Sequence, residues 1–168
     1  KKGLVILMNK VTLICGRICC GKTTLAEMLC REKGAVLLSV DEIMLALFGQ
    51  HCGDRHDEYA AKTREYLCKK SVELTESGID VILDWGFWTK AGREEIGSFF
   101  AQRGIETEWH YVGISDEAWR RNIAKRNREV EEGRTQAYFV DEGLLRKLES
   151  RFEEPEAGEM DIEFAPEY

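Results

Sequence analysis

Eight consecutive residues, Gly16-Arg17-Ile18-Cys19-Cys20-Gly21-Lys22-Thr23, set two glycines, a lysine and a hydroxyl at the spacing G-x-x-x-x-G-K-[ST]. These residue types at that spacing suit a polyphosphate. Glycines let the backbone curl until successive N–H groups point inward at phosphate oxygens, and the following helix N-terminus favours anions. Lys22 is expected to reach the outer phosphates and Thr23 to offer its hydroxyl to Mg²⁺, with Gly16 through Thr24 cradling the nucleotide. Such a loop must leave a strand and open a helix. Val11–Cys15 is an apolar run of strand length, and Leu25, Met28 and Leu29 recur at helical spacing beyond the loop.

Other residues could complete a phosphoryl-transfer site. Asp84 follows the apolar run Val81-Ile82-Leu83, the pattern that delivers a carboxylate to a metal at the end of a strand. Asp41 follows the second apolar run, where ligands of parallel sheets bind, and a carboxylate there can take a proton from an attacking hydroxyl. The competing reading is that Asp41, or Ser39, merely caps the next helix. From Arg120 to Arg128 there are five bases and no acid. Arg121, Lys125 and Arg128 share one helical face and Arg126 lies to one side. A cationic lid of this kind can stabilise a transferring phosphoryl group, although a basic helix is otherwise a solvated face. Trp85-Gly86-Phe87-Trp88 can wall an acceptor pocket or pack in the core, and Arg93 can meet a phosphate or stay exposed. His51, His56 and His110 are isolated and receive no role.

The elements that must position these groups alternate. Strands are expected at 11–15, 35–39, 79–83, 106–112 and 160–164, and helices after Gly16 and over 41–48, 57–77, 90–103, 115–129 and 140–150, with a loop at 50–56. Tyr59, Thr63, Tyr66, Leu67 and Leu74 mark one face of the long helix. Gly34, Gly78 and Gly104 each stop a helix directly before a strand, the rhythm of βα units around a parallel sheet. The chain is therefore read as α/β.

At 168 residues the chain has one domain's length. Its net charge of −7 taken alone argues against a polyanionic ligand, but the excess is local. Residues 149–168 hold eight acids and one base, which leaves residues 1–148 balanced. The stretch past Pro155 is expected to be a solvated appendage or a final edge strand. Six cysteines without a CxxC pair suit neither a disulfide framework nor a structural zinc site, and suggest free thiols in the cytoplasm. No membrane-spanning or leader pattern is seen, and Met8 is a plausible natural start, with residues 1–7 an extension.

Together, Gly16–Thr24, Asp41, Asp84-Trp85-Gly86-Phe87-Trp88 with Arg93, Arg121 through Asn127, and Arg151-Phe152-Glu153-Glu154-Pro155 resemble the small P-loop kinases. That group includes gluconate kinase, shikimate kinase, chloramphenicol phosphotransferase, zeta toxin and the kinase domain of polynucleotide kinase. More narrowly, the chain resembles bacterial kinases labelled AAA-type ATP-binding proteins. The resemblance implies a three-layer α/β/α P-loop NTPase fold, with a parallel five-stranded sheet of order 2-3-1-4-5 and an arginine-bearing helical lid. It implies a single kinase domain over 1–168, with an N-terminal extension at 1–10, the lid at 115–136 and an acidic tail at 156–168. It implies ATP and Mg²⁺ as cofactors, Thr23 and Asp84 at the metal, Asp41 as general base, and Lys22, Arg121 and Arg126 on the phosphates, with Arg121 also binding the nucleotide. Phe152 to Pro155 are then expected near the base. The acceptor is expected to be a hydroxyl on a small molecule, and the protein a monomer or homodimer away from membranes. The other readings are an ATPase or switch with water as acceptor, and a polynucleotide 5′-end kinase. Cys19-Cys20 departs from the family's usual small or polar residues and raises the prospect of oxidation at the phosphate site.

Overall fold

The computed structural model describes residues 9–165. The proposed start at Met8 and the extension before it lie outside the described residues, as do the last three positions. The chain alternates β1 (Lys10–Cys15), α1 (Lys22–Lys33), β2 (Val36–Leu38), α2 (Val40–Phe48), α3 (His56–Glu76), β3 (Val81–Gly86), α4 (Lys90–Ala101), β4 (Glu106–Val112), α5 (Asp116–Glu131), α6 (Glu142–Arg151) and β5 (Ile162–Phe164). The five strands form one sheet in the order 2-3-1-4-5, as expected. Every pairing is parallel, with Leu13 of central β1 opposite Leu83 on one side and Trp109 on the other.

The period of two along each strand divides the apolar residues between two faces. Leu13, Leu83 and Val81 join Phe87 and Phe100 on one side, while Ile14, Ile82 and Val112 meet Leu25, Ala26 and Leu29 of α1 on the other. Each of these buried side chains other than Ala26 contributes about 1.5–3 kcal/mol relative to exposure. A separate apolar cluster forms where α2 meets α3, around Val40, Met44, Ala60 and Leu67.

Several local expectations change. Met28 is 43% exposed and Tyr66 is 57% exposed, so neither belongs to its helix's inner face. Each lies about 100° from a leucine at the adjacent position, Leu29 or Leu67, and the leucine takes the core side. β3 runs on to Gly86, which puts Asp84 inside the strand rather than after it. A short 3₁₀ turn, Gly53–Arg55, occupies the expected loop and leads into α3 at His56. Of the two alternatives for the acidic tail, the final edge strand is the one observed. β5 pairs with β4, the Asp161 carboxylate accepts from the Trp109 N–H at 2.7 Å, and Glu159 binds a buried arginine.

Candidate active site

β1 delivers Gly16 to the C-terminal edge of the sheet, and α1 opens six residues later at Lys22. A Cβ on Gly16 would stand 2.9 Å from the Val112 carbonyl oxygen and 2.6 Å from the Cys20 sulfur, so the loop can pass β4 only as glycine. Gly21, with φ 104°, and Cys19, with φ 58°, turn the chain through left-handed geometry. The Lys22 ammonium folds back over the loop and donates to the Arg17 carbonyl at 2.6 Å. The Thr23 hydroxyl donates to the Asp84 carboxylate at 2.9 Å, with Asp84 buried in β3.

Asp41 lies in the first turn of α2, at the exit of β2. The helix cap is Ser39, whose hydroxyl accepts from the Glu42 N–H at 3.3 Å, so Asp41 is not needed for capping. No hydrogen bond to the Asp41 carboxylate is found among the described residues. Asp41 is exposed to solvent. Desolvation pushes its pKa upward, Lys22, Arg126 and His56 pull it down, and Asp84 adds to the rise. The result is a carboxylate more basic than an ordinary aspartate, facing two cations. Lys22 and Arg126 make no ion pair among the described residues.

The basic stretch on α5 divides by face. Arg121 points outward in an ion pair with Glu117 at 2.8 Å, and Lys125 meets Glu129 at 4.0 Å. Arg126, half-buried, is the member of the stretch that senses Asp41 and Cys19. The structure thus joins Thr23 to Asp84 and sets Lys22, Asp84 and Arg126 within electrostatic range of Asp41, while Arg121 pairs on the solvent side of α5. Arg121 thus has a partner one turn away on its own helix surface, a contact that the run of bases alone does not reveal.

Sequence reasoning missed the inner side of α5. The Trp119 indole N–H donates to the Ile18 carbonyl at 2.6 Å, the Asn122 amide donates to the Cys19 carbonyl at 3.0 Å, and Arg17 pairs with Asp116 at 2.9 Å. Cys19 itself packs with Trp119, Ile123 and Val140. The signal lay in the i,i+4 pair Trp119 and Ile123, hidden inside a conspicuous run of charge. Cys19 is therefore used as a small hydrophobe joining loop to lid. Burial pushes its pKa upward against the pull of Arg126 and Lys22, which disfavours the thiolate that oxidation requires.

The aromatic stretch after Asp84 also divides. Phe87 is core, Trp85 is half-buried between two clusters, and Trp88 lines a cleft of about 150 Å³ with Arg17, Ile18, Trp119, Leu148 and Phe152. The Arg17 guanidinium lies 4.9 Å from the Trp119 ring centre and 5.9 Å from that of Phe152. Arg93 neither meets the phosphate loop nor stays exposed. It is 3% exposed, donates to the Phe87 and Glu153 carbonyls at 3.0 and 2.9 Å, and forks onto Glu159. It thereby fixes the tail that carries Phe152 beside the loop.

Asp84 and Thr23 provide hard oxygen donors beside an anion-binding loop, a set that fits Mg²⁺, which needs few protein ligands when phosphates and water complete its shell. Six free cysteines are present, and among the described residues no helix is long and apolar enough to cross a membrane.

The fold matches several solved structures over most of their length. A sugar kinase from Janibacter sp. HTCC2649 superposes with a TM-score of 0.66 at 16% identity, over 94% of this chain and 85% of the other. The Mycobacterium tuberculosis APS kinase CysC, solved with AMPPNP and APS, gives 0.66 at 18% identity, over 96% and 90%. Chaetomium thermophilum Kti12, solved with ADP-AlF3, gives 0.67 at 18% identity, over 93% and 88%. No curated protein matches the sequence significantly. The AAA domain family matches residues 11–155, from the first residues of β1 to the proline beyond Phe152, and the chain belongs to that family, with the fold of the P-loop kinase group.

Proposed function

We propose that the protein is an ATP-dependent kinase that transfers the γ-phosphoryl group to a hydroxyl of a small-molecule acceptor. The observation that carries this reading is Asp41. It is a solvent-exposed carboxylate left without a hydrogen-bond partner among the described residues, within the electrostatic reach of Lys22, Arg126 and the Thr23–Asp84 pair.

ATP lies with its phosphates on Gly16–Thr24 and its base in the groove of Arg17, Trp119 and Phe152. Lys22 leaves the Arg17 carbonyl for the phosphates. Mg²⁺, held by Thr23 and Asp84, supplies charge neutralisation to the polyphosphate when bound. Asp41 accepts the acceptor's hydroxyl proton as the acceptor oxygen bonds to the γ-phosphorus. The bond from that phosphorus to the bridging oxygen breaks, and ADP leaves with the electron pair. Lys22 and Arg126 hold the charge spread over the moving group. The neighbours solved with AMPPNP and with ADP-AlF3 support nucleotide use at this fold. The free cysteines agree with a cytoplasmic setting.

The test measures transfer from labelled ATP to a hydroxyl library, beside nucleotide binding. Lys22→Ala loses transfer. Asp41→Ala loses transfer but still binds ATP. Full transfer by Asp41→Ala refutes the base assignment, and equal ATP turnover with and without any acceptor refutes the kinase in favour of an ATPase.

A further inference from the structure

Residues 132–141, between α5 and α6, have no regular secondary structure, yet two side-chain amides hold part of this stretch as a strand partner would. Asn127 of α5 donates to the Val140 carbonyl and accepts from the Val140 N–H, both at 2.8 Å. Gln50, beyond α2, donates to the Ala137 carbonyl at 2.6 Å and accepts from the Phe139 N–H at 3.1 Å. Between those anchors stands Tyr138. Its ring packs on the cluster of Val40, Met44, Ala60 and Leu67, which carries the helix of Asp41. It meets the His56 ring edge-on at 5.7 Å, and His56 Nδ1 lies 3.4 Å from the Cys52 sulfur. Trp85 packs on the same cluster from the sheet side. Neither the Tyr138 hydroxyl nor the Trp85 indole N–H bonds a protein atom among the described residues.

Charge narrows what these groups can hold. The two cations of residues 49–62, Arg55 and Lys62, are both paired to Glu58, at 2.9 and 2.8 Å. Lys22 and Arg126 serve the phosphate in the reading above. Apart from His56, an anionic acceptor finds no unpaired lysine or arginine along residues 49–62 among the described residues, and burying its charge unpaired is costly. Aromatic rings with a free donor suit a different ligand, one with an apolar face and polar edges. Burial pushes the Tyr138 phenol up to about 12, with Asp41 and Cys52 adding to the rise, so it remains a proton donor at neutral pH.

We propose that Tyr138 is the specificity-determining residue of the acceptor side, and that with Trp85 it holds an uncharged ring compound bearing several hydroxyls, one of which is presented to Asp41. The proposal rests on the kinase reading. Two amide clamps on an irregular segment make sense when the residue between them must be held against a ligand.

The experiment uses the full chain with labelled ATP and Mg²⁺ against two probe sets. One contains hexoses, inositols and nucleosides; the other contains gluconate, glucose 6-phosphate and a 5′-hydroxyl oligonucleotide. Transfer is expected within the uncharged set. For the accepted probe, Tyr138→Ala raises KM about tenfold or more while the KM for ATP stays within about twofold, and Tyr138→Phe falls between. A purely structural role would instead raise both KM values or lower kcat alone. The proposal is overturned by transfer only to an anionic probe, by an unmoved acceptor KM in both variants, or by no uncharged probe accepted while ATP binds. Failure of ATP itself to bind overturns the kinase reading, and this proposal with it.

Discussion

Replacing Arg93 by alanine should loosen residues 152–159 without touching the phosphate loop, while β5 stays paired with β4. The side chain is 3% exposed and makes four hydrogen bonds, two to main-chain carbonyls and two to Glu159, whose side chain keeps one-fifth of its surface in water. Removing one partner of a buried ion pair costs about 3–5 kcal/mol. The residual exposure of Glu159 argues for the lower end, about 3 kcal/mol. For a chain of this size that corresponds to a fall in Tm of about 6–12 °C. The loss should be partly recovered in Arg93→Ala/Glu159→Ala, because the second change removes the stranded carboxylate. Urea unfolding gives the energies, and titration with ATP against inorganic triphosphate reads the base groove. Since Phe152 hangs on this clasp, ATP affinity should fall more than triphosphate affinity. A shift below about 1 kcal/mol, or equal losses for the two ligands, refutes the assignment of Arg93 as the clasp of the tail.

Glu108 provides a pH test. Desolvation raises its pKa, but hydrogen bonds from His110, Lys33 and Lys10 outweigh this and hold it down to about 2. A depressed carboxylate contributes stability above its unfolded pKa of 4.5 and loses it as pH falls towards 2, at most about 3 kcal/mol over that window. Urea midpoints between pH 5 and pH 2 should fall less steeply in Glu108→Gln. Gly16→Ala should abolish nucleotide binding measured by calorimetry, since its Cβ meets the Val112 carbonyl. Trp119→Phe keeps the packing but frees the Ile18 carbonyl, and should lower stability by about 1 kcal/mol in urea unfolding, with weaker phosphate binding.

The layer order and the phosphate loop were legible because both follow from local signals. Apolar runs of strand length end in glycine or aspartate, and glycines stop three helices before strands. What sequence could not supply was the direction of each side chain on its element. Met28 and Leu29 are adjacent leucine-like residues, and only the sheet's position decides between them. Arg121 and Arg126 differ by five positions and read alike, yet one pairs with Glu117 in solvent while the other enters the cleft. Arg93 could be read as a phosphate ligand because its true partners lie some sixty residues away in the tail. Asn127 and Gln50 carry no motif at all, and their roles exist only after the chain has folded.

The bond from Trp119 to the Ile18 carbonyl has a mechanical consequence. A trans peptide is a rigid plate, so a carbonyl pinned on one side turns the next amide, that of Cys19, to the opposite side. Helix α5 therefore sets the orientation of a dipole in the anion cradle before any anion arrives. It cannot swing away as a loose flap without rotating that plate or losing the bond. In the proposed kinase, lid position and phosphate affinity become two readings of one rotation, and anything that tilts α5 also tunes the grip on the polyphosphate.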